Sequence, residues 1–316
     1  MWPALIINLK QYIPRKTVSA YLQTAEKLAE KYQKELIVCV DSGDLKSVAT
    51  TSRKFVKIFA QNFNHASLSP KTLMDLGISG SLLNHYDFRL YGEKAGADKK
   101  IRNSAADFKQ LIELIKSAYV LGLSLVVCAD TAKTAEKIAR EISTLQIKNV
   151  ALAVEWDEFI GSKISMVQEK PQEIKETVQL VHSVDNQIPV YCGAGVQGAD
   201  VAQAIKEFGV QGALVATYCT KAPEFQGDYE KAIETILKSL PQVFKKVTKE
   251  MLISEALQIC PDALEIMFEY GLHCVGCGGA FYETIEEGSL AHGISAEKIE
   301  EMVGKINQKL KKSSQN

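Results

Sequence analysis

Ala4-Leu5-Ile6-Ile7-Asn8-Leu9-Lys10-Gln11-Tyr12 is the first regular stretch of the chain. Its opening residues are apolar on both faces, as a strand buried in a parallel sheet must be. The residues just past this strand decide the fold. A doubly wound open sheet normally places a glycine-rich phosphate turn after its first strand. Here the strand runs into Lys10-Gln11-Tyr12, with no glycine. An apolar, lysine-ended strand leading to a helix over residues 17–34 fits the first unit of a closed barrel instead.

The rest of the chain repeats that unit. Further strands are expected at residues 35–41, 57–63, 80–84, 123–130, 149–155, 188–193 and 212–216. Helices are expected at 45–52, from the Ser69-Pro70 cap, and at 105–121, 132–144, 171–183, 198–208 and 228–240. Two stretches break the rhythm: a polar, glycine-containing loop at 86–103, and residues 156–170, which show neither period. Eight strand–helix units in about 240 residues match a (β/α)8 barrel of the α/β class.

Pro241 marks a change. Residues 1–241 form the expected barrel, and residues 242–316 a small all-α domain with helices at 251–259, 262–270 and 295–310 and a glycine-rich turn at 272–279. Composition narrows the function. Lys+Arg is 37 and Asp+Glu 38, a net charge of −1, so there is no bulk attraction to nucleic acid or an anionic membrane. No apolar run approaches the ~18 residues that span a bilayer. The first residues lack a basic signal region, and the seven cysteines are odd in number. Both argue against a secreted disulfide scaffold and for the cytoplasm.

In such a barrel, catalytic groups sit at strand C-terminal ends. Lys10 ends the first strand, Asn84-His85 the fourth and Glu155 the sixth. Asp41 and Asp130 end the second and fifth and read as loop caps. Singly, each has a plain reading: a solvated lysine, a hydrogen-bonded histidine, a salt-bridged glutamate. Together they form a chemical set. Lysine balances an anionic substrate, histidine polarises a carbonyl, and glutamate removes a carbon-bound proton. Glycine-containing loops after the seventh and eighth strands can turn backbone N–H groups toward a phosphate.

These residues carry a family resemblance. Asn8-Leu9-Lys10, Gly77-Ile78-Ser79-Gly80-Ser81-Leu82-Leu83-Asn84-His85, Ala153-Val154-Glu155-Trp156-Asp157-Glu158-Phe159-Ile160-Gly161, Cys192-Gly193-Ala194-Gly195 and Leu214-Val215-Ala216 resemble, in order, segments of the archaeal-type triosephosphate isomerases. The resemblance implies Glu155 as base, His85 as a neutral imidazole and Lys10 as the charge partner with Asn8 beside it. It implies phosphate contacts at Ile160, Gly161, Gly195, Ala216 and Thr217, and a lid over 156–170. It implies a small phosphorylated sugar as substrate, no cofactor for the isomerisation, and a dimer or tetramer. Four departures stand out: Tyr86-Asp87 for Ser-Glu, Gly161-Ser162-Lys163 for Gly-Thr-Gly, Tyr218 for a glycine in the last loop, and Trp156-Asp157 where two prolines are common. The last predicts a looser lid hinge. Tyr218 predicts crowding where the backbone must approach phosphate.

The C-terminal unit holds Cys274-Val275-Gly276-Cys277. A single Cys-x-x-Cys is compatible with a redox disulfide, with half of a zinc site completed by His273, Cys260 or a second protomer, or with packing alone. The stretch from Tyr270 to Cys277, with Glu283-Thr284-Ile285-Glu286-Glu287 and Ala291-His292-Gly293-Ile294, resembles the DUF1858-type redox-disulfide module associated with hybrid-cluster proteins. That resemblance implies redox or metal chemistry at Cys274 and Cys277.

Overall fold

A computed structural model describes residues 2–49, 53–64, 68–162, 164–240, 246–273 and 283–313. Lys163, Cys274 and Cys277 lie outside the described residues. The chain separates into two compact units, Met1–Leu240 and Pro241–Asn316.

The first unit is a closed parallel barrel of eight strands in sequential order. They are β1 (Leu5–Asn8), β2 (Leu36–Val40), β3 (Val56–Ala60), β4 (Gly80–Leu83), β5 (Ser124–Ala129), β6 (Val150–Glu155), β7 (Val190–Gly193) and β8 (Gly212–Val215). Leu5, Ile6 and Ile7 pair with Ala213, Leu214 and Val215, which closes the ring. Alternation along each strand sorts the side chains. Ile6, Ile37, Phe59, Leu82, Val126 and Tyr191 belong to a core cluster inside the ring. Leu5, Ile7, Val38, Leu125 and Leu152 belong to the cluster shared with the surrounding helices. The strands are therefore apolar on both faces, the pattern that the sequence shows.

Local signals set the helix ends. Ser69 accepts a bond from Thr72 N–H at 3.1 Å, and Pro70 opens Pro70–Asp75. Ser104 and Asp107 form a reciprocal capping box on Ala105–Val120. Asp228 caps Tyr229–Ser239. The helix expected at 198–208 is an α turn, Asp200–Gln203, followed by a π turn, Ala204–Phe208, which Gly209 ends at φ +76°. The stretch 156–170, without period in sequence, contains a 3-10 turn, Asp157–Phe159, and a single helical turn, Met166–Glu169.

In the second unit, four helices among the described residues, Ile253–Ile259, Ala263–Glu269, Ile285–Ala291 and Ala296–Ser313, enclose their own core; Ile285–Ala291 is not among the expected helices. Val247, Ile253, Met267, Ile285, Met302 and Ile306 belong to it. Buried Asn307 clasps the entering chain: it accepts from Val247 N–H at 2.7 Å and donates to Val247 C=O at 2.8 Å. Cys260 is a buried member of that core. Among the described residues, no helix is long and apolar enough to cross a membrane.

Candidate active site

Asn8, Lys10, His85, Glu155, Ile160, Gly161, Gly195, Ala216 and Thr217 all line a single cavity of about 470 Å³ at the strand C-terminal ends. The fold brings them there from β1, β4, β6, β7 and β8 and the loops attached to them.

Lys10 has φ +46°, a left-handed conformation that an L-residue adopts at a cost of roughly 1–2 kcal/mol. Two side chains hold its backbone. Asn8 Oδ1 accepts from Lys10 N–H at 3.0 Å, and Gln61 Nε2 donates to Lys10 C=O at 2.9 Å. The strained backbone turns the Lys10 ammonium to Asp87, 3.2 Å away. Gln61 is a residue that sequence reasoning missed. It lies inside the expected third strand, yet β3 stops at Ala60, and Gln61 is itself a strand-end residue.

His85 comes just after β4, and Asn84 fixes that turn. Asn84 also has positive φ (+61°), and all its side-chain bonds are satisfied. It donates to Tyr91 and Cys128 C=O at 2.7 and 2.8 Å and accepts from Leu90 and Tyr91 N–H at 2.7 and 2.8 Å. The buried His85 ring then sits between three groups. Its Nε2 is 3.3 Å from Glu155 Oε1 and 3.4 Å from Asn8 Nδ2. Its Nδ1 accepts from Asp87 N–H at 3.2 Å and lies 3.4 Å from Asp87 Oδ2. Asp87 thus pulls both ways: its N–H favours the neutral ring and its carboxylate the cation. Burial lowers the His85 pKa, but the charges and hydrogen bonds of Glu155 and Asp87 outweigh it and push the value up to about 9. Burial alone would raise Asp87; His85 and then Lys10 bring it down to about 2. Glu155 is lowered as well, with burial opposed by His85 and Lys10. Gly193, paired with Glu155 across β6 and β7, makes room for it: a Cβ there would stand 3.0 Å from Glu155 Cγ.

At the far end of the cavity, main chain from the loops after β7 and β8 lies beside the side chains of Gln197, Lys221 and Glu224. Gly195 has φ +66°, and a Cβ on it would stand 1.9 Å from the Ile164 carbonyl oxygen, in the stretch expected to form a lid. Thr217 and Tyr218 begin a one-turn helix, Thr217–Thr220, whose first N–H groups have no intrahelical acceptor. The Tyr218 side chain is buried at this end of the cavity. It packs edge-on to Phe225, with its hydroxyl beside Gly198. Tyr218 still belongs to the cavity lining, and its ring is held at Phe225 and Gly198. Lys221, also missed in sequence, adds a cation to the cavity wall, its Nζ 3.9 Å from the centre of the Tyr12 ring.

The segment expected to carry the looser hinge holds an ion pair. Asp157 is held by Arg89 through two bonds of 2.7 and 2.8 Å. Asp130 is no simple cap: it accepts from Lys94 N–H at 2.6 Å and lies 3.7 Å from Arg89 Nη1. Asp41 does cap its turn, accepting from Gly43 N–H at 2.9 Å. Among the described residues, no group of three or more His, Cys, Asp or Glu side chains is placed to hold a metal ion.

A carboxylate against an imidazole, with an ammonium beside them at the mouth of a closed β/α barrel, suits the intramolecular oxidoreductases that interconvert aldoses and ketoses. Comparison with known proteins narrows that class. The family model for triosephosphate isomerase matches residues 3–232, and a model described as a domain of unknown function, DUF1858, matches 247–299. A triosephosphate isomerase of Methanobrevibacter smithii is 28% identical over 230 residues, covering 70% of this chain and 92% of its own. One from Caldivirga maquilingensis is 30% identical over 248 residues, covering 75% and 97%. The chain belongs to the triosephosphate isomerase family.

Proposed function

We propose that the barrel interconverts dihydroxyacetone phosphate and glyceraldehyde 3-phosphate, with Glu155 moving the proton. The observation that carries this reading is the 3.3 Å approach of Glu155 Oε1 to His85 Nε2 inside the cavity. A substrate whose two reacting carbons lie at that point has a base at one side and a hydrogen-bond donor at the other. Glu155 takes the proton from one carbon and returns it to the neighbour. His85 stabilises the oxygen on which charge develops, and Lys10 offsets the total negative charge. That the imidazole works in its neutral form is the family's established behaviour, not a consequence of this geometry. A substrate seated between Glu155 and His85 would separate them and weaken the largest influence raising the His85 pKa. The proton moves between carbon and carboxylate, so the step needs no cofactor.

Ile160, Gly161, Gly195, Ala216 and Thr217 would surround the phosphate, mainly through backbone N–H groups. A coupled assay of triose phosphate interconversion tests the reading. Glu155→Gln keeps the shape and removes the base, so kcat should fall by roughly 10²–10⁴-fold. Unchanged turnover in Glu155→Gln would exclude Glu155 as the base.

For the helical unit we infer thiol chemistry at Cys274 and Cys277, supported by their two-residue spacing. If it regulates the barrel, the isomerase rate differs between oxidised and reduced protein, and Cys274→Ser removes that difference. Equal rates in parent and variant under both conditions would sink the coupling.

A further inference from the structure

Arg89 lies four residues beyond His85 and Asp157 two residues beyond Glu155. The Arg89 side chain is 1% exposed and that of Asp157 17%. Arg89 Nη1 and Nη2 meet Asp157 Oδ2 and Oδ1 at 2.7 and 2.8 Å, the fork-to-fork geometry in which a guanidinium fixes direction as well as charge. Nη1 also donates to the Ala95 C=O at 3.2 Å and lies 3.7 Å from the fully buried Asp130. One guanidinium thus ties together the ends of β4, β5 and β6. A second, exposed tie runs parallel to it, Lys94 to Glu158 at 3.1 Å.

Glu155 itself has few strong anchors. Its Oε2 is buried with no hydrogen-bond partner of good geometry among the described residues, Oε1 faces His85, and the Cys128 thiol is a weak partner beside the carboxylate. The backbone that carries it therefore contributes to the aim of its carboxylate. That backbone continues directly into the turn that Arg89 holds.

We propose that Arg89 and Asp157 are a positioning pair: their clasp fixes the first turn of the lid to the histidine loop and so aims Glu155 at the reacting carbons. This rests on the isomerase reading above. The pair touches no substrate; it acts through Glu155. A misplacement of about 1 Å at a reacting group can lower a rate by roughly 10²-fold, so a partial loosening should be visible in kcat.

The test uses the full chain and the variants Asp157→Asn, Asp157→Glu and Arg89→Lys. Asp157→Asn keeps the shape and loses the charge. Asp157→Glu keeps the charge and lengthens the arm. Arg89→Lys keeps the cation and loses the fork. Each should lower kcat by about tenfold with KM within about threefold. The acid limb of the pH–rate profile should stay in place. A limb displaced with full plateau kcat would show that Asp157 acts through its charge, and would overturn the positioning role. Parental kcat in Asp157→Asn would do the same.

Trp156 supplies a readout independent of turnover. It is 4% exposed and immediately precedes Asp157. In a Trp2→Phe background it is the remaining tryptophan. Acrylamide quenching of Trp156 should rise in Asp157→Asn while the far-ultraviolet circular dichroism stays parental. Unchanged quenching would overturn the clasp even if the parent had no triose phosphate activity, and lack of parental turnover alone would overturn only the isomerase reading. Asp157→Asn, which buries no new unpaired charge on the lid, covers the case in which Arg89→Lys fails to fold.

Discussion

At the Lys10, His85 and Glu155 end of the cavity the proposed function uses side-chain atoms; at the Gly195, Ala216 and Thr217 end it uses mainly the main chain. The first end is dense with charge. Asp87 alone meets both Lys10, at 3.2 Å, and His85, at 3.4 Å. A change of residue type there changes the chemistry. The second end depends on where the backbone goes, and many side chains are compatible with one backbone path. Tyr218, where the family resemblance implies a glycine, tests this: its ring packs edge-on to Phe225. Tolerance at the second end stops where main chain meets main chain.

That limit is Gly195. A Cβ at this position would stand 1.9 Å from the Ile164 carbonyl oxygen and 2.9 Å from its carbonyl carbon, and neither is the end of a flexible side chain. Gly195→Ala should therefore push the lid off the seventh loop. We expect kcat/KM to fall by roughly 10²-fold, on the scale of a 1 Å displacement, with KM carrying a larger share than in Glu155→Gln. Steady-state kinetics decides it. Parental kcat/KM in Gly195→Ala would mean that the lid rests elsewhere when the enzyme works, and would remove the main-chain half of the contrast.

Asp87→Asn probes the side-chain half with a smaller expected effect. It removes a carboxylate 3.4 Å from His85 Nδ1 and leaves the backbone N–H in place. The His85 pKa should fall from about 9 toward its ordinary 6.5, which nitrogen NMR of the ring would show. A raised histidine pKa contributes stability that is fully present below pH 6.5 and lost as pH rises through about 9. Asn should flatten that loss. Asp87 itself, lowered to about 2, contributes above its ordinary 3.8 and loses that contribution as pH falls through about 2, so the variant should also lose less on acidification. A thermal-unfolding series against pH measures both windows. A His85 pKa that stays at its parental value would leave Glu155 as the only carboxylate acting on the ring.

The same contrast explains how much of the molecule is legible in its sequence. All eight strands can be read, because burial on both faces forces apolar, β-branched runs. The shared placement of Lys10, His85 and Glu155 at one cavity can be read, because residue type and strand-end position mark each of them. Gln61 is hidden by a strand end misplaced by a few residues, and strand ends rest on turn geometry more than on composition. Arg89 is hidden for a different reason. It lies in a polar loop of glycines and charges, 68 residues from its partner Asp157, and nothing local marks a pair closed only by the fold. Missing prolines suggest a loose hinge; the Arg89–Asp157 pair beside it is not visible in that signal. For the helical unit, Thr284-x-x-Glu287 marks the start of Ile285–Ala291 as a capping box, and that signal stands in the sequence.

Tyr218→Phe should have the smallest effect, and that is its value. The ring packs edge-on to Phe225, and its hydroxyl lies at Gly198, where a Cβ would approach it to 2.9 Å. Burial and the charge of Glu224 push its pKa up to about 12, so the phenol stays neutral throughout the range in which the site works. Removing a neutral hydroxyl held at Gly198 should cost about 1 kcal/mol of stability and leave kcat and KM within about twofold. The backbone N–H groups of Thr217 and Tyr218 remain, and they are what a phosphate would meet. A large rise in KM in Tyr218→Phe would mean that the hydroxyl itself reaches the ligand. The eighth-strand loop would then belong to the side-chain half of the mouth, and the division between the two ends would run through the middle of the anion site.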